Sequence, residues 1–256
     1  MKLQQKIPRS DLHCHILPGI DDGAEDIGVS EELLRAEQEM DVSQILCTPH
    51  FYADRMSEDD FFSNRKQAEE KLRPLCEQMG IELKVGAEVR MVPQLADVDL
   101  SRFVMGDTNY LLLEWPFVMF PLWGEKIVDE LLRQGIRPVF AHVERYDYFF
   151  DFPSRLDSYI ARGALCQTNG GALLHQSTQK RVLQMIRQGR IHVVSSDTHN
   201  MDARPPRLDA AFAVVQKQLG MSAYCNLVAN ADAVFHGKQI ESPHIHAGHK
   251  IFGLFG

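Results

Sequence analysis

Seven short runs rich in Val, Ile, Leu and Thr recur along the chain, each followed by a longer amphipathic stretch, and no other feature limits the fold as strongly. The runs are SDLHCH (Ser10 to His15), QILCTPH (Gln44 to His50), ELKVGAEV (Glu82 to Val89), YLLLEW (Tyr110 to Trp115), RPVFAHV (Arg137 to Val143), LCQTNGG (Leu165 to Gly171) and HVVSSDTH (His192 to His199). Strand-length apolar runs alternating with helix-length amphipathic ones read as βα units, with parallel strands covered by helices. The helical stretches end at Gly80, Gly135, Gly163, Gly189 and Gly220, where glycine accepts the left-handed cap conformation. From Pro121 to Gln134, Ile127, Val128, Leu131 and Leu132 share one helix face, with Pro121 near the first turn. Asn226 to His236 reads as a further helix.

Seven such units are one short of the eight-stranded barrel, so the expected α/β architecture is a distorted (β/α)7 TIM-like barrel. An open doubly wound sheet would need a Gly-rich phosphate loop after the first strand, and none is there. A chain of 256 residues suits a single barrel domain over 1–256, with a tail of little pattern from about Gly237. In that tail His244, His246 and His249 read as a solvated segment, and Ile251, Phe252, Leu254 and Phe255 as residues that dock on the domain.

Six of the seven runs end in, or just beyond, a residue of metal-ligand type: His13 and His15, His50, Glu88, Glu114, His142, and Asp197 with His199. The LCQTNGG run offers Asn169 instead. One such residue at a strand end is commonly a cap or a solvated turn residue. With 11 His and 35 Asp plus Glu in 256 residues, six of seven ends is not a chance outcome. The carboxyl ends of barrel strands converge on one mouth, so these eight side chains can meet there. Side chains alternate along a strand, which sends His13 and His15 to one side and Cys14 to the other, and Asp197 and His199 repeat that spacing. Cys14 is thus expected in the core and not among the ligands.

Eight mixed nitrogen and oxygen donors, one carboxylate bridging, suit two or three first-row cations such as Mn, Fe or Zn, and the lack of thiolate argues against a closed structural zinc site. Three divalent ions outweigh the charge of Glu88, Glu114 and Asp197 and leave the pocket attractive to a phosphate dianion. The expected chemistry is phosphoester hydrolysis, with a metal-bound hydroxide attacking phosphorus in line and no nucleophile from the protein. Arg145, just past His142, and Arg204, just past His199, are candidates for forked phosphate contacts, with Arg207 a weaker third. Asp21 and Asp22 lie in the loop after the first run; beside a plain role in a turn, the functional reading is a general acid or a group supporting the metal ligands, with Asp22 the favoured residue.

The formal net charge of -8, without any basic run, disfavours nucleic acid as a partner. The amino terminus lacks the apolar core of a signal peptide and no stretch is long and apolar enough for a membrane span, so a cytoplasmic, not membrane-integrated protein is expected. The five cysteines lack CxxC spacing and read as reduced, buried packing residues. None has an arginine six residues later, which sets aside the cysteine-based tyrosine phosphatase mechanism.

The motifs DLHCHILPGIDDG, CTPHFY, GAEVR, LLEW, AHVERY, QTNGGAL and SDTHN followed by RPP, in this order, resemble the polymerase and histidinol phosphatase (PHP) superfamily, specifically its bacterial capsular or exopolysaccharide tyrosine phosphatases. The match runs from about Asp11 to about Gly237. The resemblance implies a manganese-dependent protein tyrosine phosphatase acting on the tail of a bacterial tyrosine kinase that controls polysaccharide export. It also implies a trinuclear site with His13, His15, His50, Glu88, Glu114, His142, Asp197 and His199 as ligands, and phosphate contacts from Arg145 and Arg204.

Two alternatives stay open at the level of sequence. One is a PHP phosphatase for a small phosphomonoester such as histidinol phosphate; the other is a noncatalytic module that keeps its metals for interaction or stability. Phe51, Tyr52, Phe117 and Tyr146, beyond strand ends, could flank a phenyl ring and so favour phosphotyrosine.

Overall fold

A computed structural model describes residues 8–240, so the expected histidines and apolar residues of the tail from 241 onward lie outside the described residues. Every expected run contains strand. The elements are β1 (Arg9–Cys14), β2 (Val42–Cys47), β3 (His50–Phe51), β4 (Glu82–Val85), β5 (Glu88–Arg90), β6 (Tyr110–Glu114), β7 (Arg137–Phe140), β8 (Leu165–Asn169) and β9 (Val193–Ser195). All their pairings are parallel, in the orders β1-β2-β4 and β3-β5-β6-β7-β8-β9.

The division into two sheets arises where two strands break at one level. Pro49, between β2 and β3, has no N–H for the ladder. Gly86, between β4 and β5, lies so close to Met105 that a Cβ would come within 3.1 Å of its Cα. Bonds from Gly86 N to Cys47 O (2.8 Å) and Glu88 N to Pro49 O (3.0 Å) carry the pairing across both breaks. β2 with β3, and β4 with β5, therefore act as single offset strands. The ring then closes: Cys14 bridges Thr198, with Asp197 N donating to His13 O (2.8 Å) and His15 N to Thr198 O (2.9 Å). The expected distorted seven-stranded α/β barrel is what forms.

Helices α1 (Ile27–Glu39), α2 (Glu58–Met79), α3 (Gly124–Arg133), α4 (Asp147–Asp151), α5 (Pro153–Ala161), α6 (Gln176–Arg187), α7 (Leu208–Leu219) and α8 (Met221–Phe235) complete the fold. Two of them depart from the expected bounds. α3 starts at Gly124, because Pro121 to Gly124 closes a turn first (Gly124 N to Pro121 O, 2.9 Å), and α8 starts five residues earlier than the sequence suggested, directly after Gly220. α2 shows how local chemistry sets an end: the Ser57 hydroxyl caps Asp60 N at 3.1 Å, and Gly80 takes φ 67 so that Ile81 N reaches Cys76 O.

Two apolar layers follow from strand alternation. Leu111, Leu113, Phe140 and Val194 face outward among the helices, whereas Leu46, Leu112, Val139, Leu165 and Val193 form an inner cluster with Val234 and Phe235 of α8. Cys14, Cys47, Cys76 and Cys166 are buried and free as expected. Cys225 corrects that expectation, since it lies on an exposed part of α8.

Candidate metal centre

Strand ends at the barrel mouth bring all eight expected ligand side chains into one cluster, seven of them buried and His50 partly so. Glu88, opening β5, is its centre. Its Oε2 lies 2.9 Å from His50 Nδ1, 3.3 Å from His13 Nε2 and 3.4 Å from His15 Nε2, and its Oε1 lies 2.8 Å from His142 Nε2. Glu114, ending β6, joins Glu88 and His142 in one group of donors that could hold a metal ion; His13, His15 and Glu88 form a second, and His15, Asp22, His50 and His199 a third.

Donor spacing is a direct test of whether cations fit. His13 Nε2 is 3.3 Å from His15 Nε2, 3.3 Å from Glu88 Oε2 and 3.3 Å from Asp197 Oδ1; His15 Nε2 is 3.4 and 3.5 Å from the same two oxygens. A tetrahedron of donors at the usual metal–ligand distance of about 2.0–2.1 Å has edges of about 3.3–3.4 Å. His13 Nε2, His15 Nε2 and Glu88 Oε2 therefore stand at the mutual spacing of three donors around one first-row cation, and Asp197 Oδ1 lies at that spacing from both histidines. The Nε2 of His199 is buried and has no hydrogen-bond partner, another donor left for an ion.

The imidazoles are aimed by their far nitrogens. His15 Nδ1 bonds Asp21 Oδ2 (2.7 Å), His199 Nδ1 bonds Asp197 O (3.0 Å), His142 Nδ1 meets the Tyr146 hydroxyl (3.1 Å), and His13 Nδ1 meets Gln167 Oε1 (3.3 Å). In each case the Nε2 lone pair is left for the centre, as in metal sites whose histidines are oriented by outer partners. Backbone strain marks the same place. His142 (φ 31) and Asp197 (φ 53) are two of the three described non-glycine residues in the left-handed region, a conformation that persists where surrounding contacts enforce it.

Charge balance without cations falls on protons. Burial would lower His13, His15 and His50, but Glu88, Asp197, Asp21 and Asp22 raise all three, His50 to about 9. His199 goes the other way, lowered to about 3 by burial and by the charges of His15 and Arg204. Glu88 and Asp197 are held low against their burial by the histidines around them, Asp197 to about 2, while burial and neighbouring Glu88 lift Glu114 to about 7. A site that takes up protons to offset its acids is one in which divalent ions can replace those protons.

Around this cluster the other expected residues take distinct places. Arg204 Nη2 bonds Asp197 Oδ2 at 2.7 Å, and Arg145 lies over the Phe117 ring, 4.3 Å from its centroid. Asp22 sits at the exposed rim, 3.3 Å from His50 Nε2 and 3.5 Å from His199 Nε2; its bond to His50 holds its carboxyl far below the usual range. An ionised Asp22 presents an acceptor, and a candidate metal donor, at the rim. Of the four aromatics, Phe51 and Tyr146 are fully buried packing residues and cannot flank a ligand. Tyr52, stacked on His50, and the part-exposed Phe117, stacked on His142, remain at the mouth.

Other contributors escaped the strand-end pattern. Asp11 is buried and accepts from Ser196 N (3.0 Å), tying β1 to the segment that carries Asp197, and it lies against Glu37 of α1. A register shift between Asp11 and Cys14 lets Leu12 join the inner cluster while His13 and His15 still face the mouth. Bulges re-aim side chains in this way, and hydrophobic alternation gives no warning of them. Gln167, inside β8, was hidden for a different reason: an amide in a strand carries no metal-ligand signal.

Residues 9–236 match the family described as capsular polysaccharide synthesis, CpsB/CapC. The tyrosine-protein phosphatase YwqE of Bacillus subtilis is 30% identical over 96% of this chain and 99% of its own, and the putative tyrosine-protein phosphatase CapC of Staphylococcus aureus is 32% identical over 79% and 81%. Among solved structures, one described with YwqE from Bacillus subtilis and CpsB from Streptococcus pneumoniae as unique metal-dependent tyrosine phosphatases superposes with a TM-score of 0.81 at 29% identity, covering 91% of this chain and 96% of that one. The chain belongs to the CpsB/CapC family of capsular polysaccharide synthesis.

Proposed function

We propose that this chain is a metal-dependent protein tyrosine phosphatase that hydrolyses phosphotyrosine on a bacterial tyrosine kinase governing capsule or exopolysaccharide synthesis, working in the cytoplasm as a single barrel domain. The observation that carries the reading is the Glu88 carboxylate within 2.8–3.4 Å of four imidazoles, in a chain similar along nearly its whole length to tyrosine phosphatases.

His13, His15, His50, Glu88, Glu114, His142, Asp197 and His199 would hold two or three divalent cations, Mn2+ by preference, with Asp22 as a further donor at the rim. Such ions, when bound, bring the pKa of a coordinated water close to neutral and offset charge on the phosphoryl oxygens. Arg145 and Arg204 extend guanidinium groups toward the phosphate, and Arg204 holds Asp197 in place through its 2.7 Å bond. Phe117 and Tyr52 offer faces for the phenyl ring. A phenolate leaving group, with a pKa of about 10, departs with little help from an acid, which agrees with a rim carboxylate that stays ionised.

The test is turnover of a phosphotyrosine peptide and of histidinol phosphate by one Mn-loaded preparation. Peptide kcat/KM at least tenfold the higher, lost on chelation and restored by Mn2+, is the expected result. The reverse preference would assign the site to small phosphomonoesters, and no turnover with metals fully loaded would leave a metal-holding interaction module.

A further inference from the structure

Beside the metal centre lies a cavity of about 570 Å³. That is within the roughly 300–1,000 Å³ of pockets that enclose a whole small ligand, and more than one phosphoryl group needs. Asp197 and Arg204 form the wall it shares with the metal centre; Arg145, Arg207, His175 and Ser177 also line it.

Neither Arg145 nor Arg207 has a carboxylate within ion-pair distance among the described residues, and the acids closest to them in the chain are already engaged. Asp147 bonds Arg181 at 3.1 Å, Asp209 bonds Arg9, and the buried Glu144 accepts from Thr168 Oγ1 (2.8 Å) and Asn169 N (3.2 Å). The Ser177 hydroxyl and the His175 ring, both exposed, line the same cavity and make no hydrogen bond among the described residues. A protein with a formal net charge of -8 thus presents two exposed guanidinium groups, neither in an ion pair among the described residues, in a cavity that borders its own active site.

We propose that this cavity is a second anion subsite, which takes a carboxylate or phosphate group of the substrate polypeptide flanking the phosphotyrosine. The inference rests on the phosphatase reading above and adds a substrate preference to it. Guanidinium forks match carboxylate and phosphate oxygens. The overall negative field repels an acidic segment at long range, so acceptance of one depends on this local patch, in which Arg207 makes no hydrogen bond or ion pair to a candidate metal ligand among the described residues.

The experiment uses the full-length, Mn-loaded enzyme and three phosphotyrosine peptides that differ only in the flanking residues: acidic (Asp and Glu), neutral (Asn and Ala), and neutral with one phosphoserine. The acidic or phosphoserine peptide is expected to exceed the neutral one in kcat/KM by about tenfold at low salt, mainly through KM, the advantage shrinking as ionic strength rises. Whichever of the two gains more identifies carboxylate or phosphate as the preferred group. Arg207→Glu should abolish or invert the ratio, and Arg207→Gln, which keeps side-chain length, should reduce it, with small aryl phosphate turnover as the internal reference. Equal kcat/KM for all three peptides, or an equal loss on every substrate in both variants, would overturn the subsite. Titration with the matching phosphonomethyl-phenylalanine peptides, which cannot be hydrolysed, reads the same ratio as binding. If no aryl phosphate turns over, the phosphatase reading fails, and the binding ratio alone then supports or overturns the subsite.

Discussion

His192 is a histidine outside the metal cluster, and its situation is the opposite of the ligands'. Its ring is fully buried, Nδ1 accepts from Cys166 N at 3.0 Å, and Nε2 has no partner. Burial, aided by the charge of Arg137, lowers its pKa to about 4. The native state therefore holds the ring neutral, whereas the unfolded chain takes up a proton below its ordinary pKa of about 6.5. The associated stability is complete above that value and is lost as pH falls toward 4. Between pH 7 and 5 the loss is about 2 kcal/mol, read from urea midpoints at the two pH values. His192→Gln, which retains an acceptor, should remove most of that slope; an unchanged slope would assign the acid limb to other groups. From sequence, His192 and His199 open and close the same run and cannot be told apart in character. Their surroundings separate them, because one faces apolar packing and the other a cluster of acids.

At the level of elements, β8 is the strand that carries no expected ligand, and it orients those on its neighbours. Asp197 can only accept, so Asn169 turns its Nδ2 to Asp197 Oδ2 (2.6 Å) and its Oδ1 to Gln167 Nε2 (2.9 Å). Gln167 Oε1 is then left to accept from His142 N (2.6 Å) and to meet His13 Nδ1 (3.3 Å). One carboxylate thereby sets the direction of two amides and the tautomer of an imidazole across three strands. Gln167→Met, similar in volume but without the acceptor, is expected to weaken Mn2+ binding about 10- to 100-fold, measured by titration of free Mn2+ by electron paramagnetic resonance, while the circular dichroism spectrum stays that of the wild type. Unaltered affinity would mean that His13 needs no such support. The strands themselves were legible from apolar runs and the helix ends from glycine, since both depend on neighbours in the chain. The start of α3 was not, because the turn at Pro121 competes with the helix for the same residues.

Over the whole molecule, the candidate donors span His13 to His199, and the first and last strands meet only along a short seam around Cys14 and Thr198. Cations held by His13, His15 and Asp197 would tie that seam together. Metal present at 100- to 1,000-fold over its Kd adds about 3–4 kcal/mol to the stability of the folded state. Chelation should then lower the melting temperature by about 5–15 °C for a domain of this size, reversibly on return of Mn2+; an identical melting curve with and without chelator would show that the ring closes without the ions. The number of strands, the ends that bear ligands and the core character of Cys14 could be read from composition and spacing, because period-2 alternation and strand-end chemistry are local properties. Which donor sits at the centre, that Asp22 is ionised at the rim, that Phe51 and Tyr146 are packing residues, and that Arg145 and Arg207 stay unpaired depend on distances between residues remote in the chain. Closure of the barrel sets those distances, and a linear pattern carries no record of them.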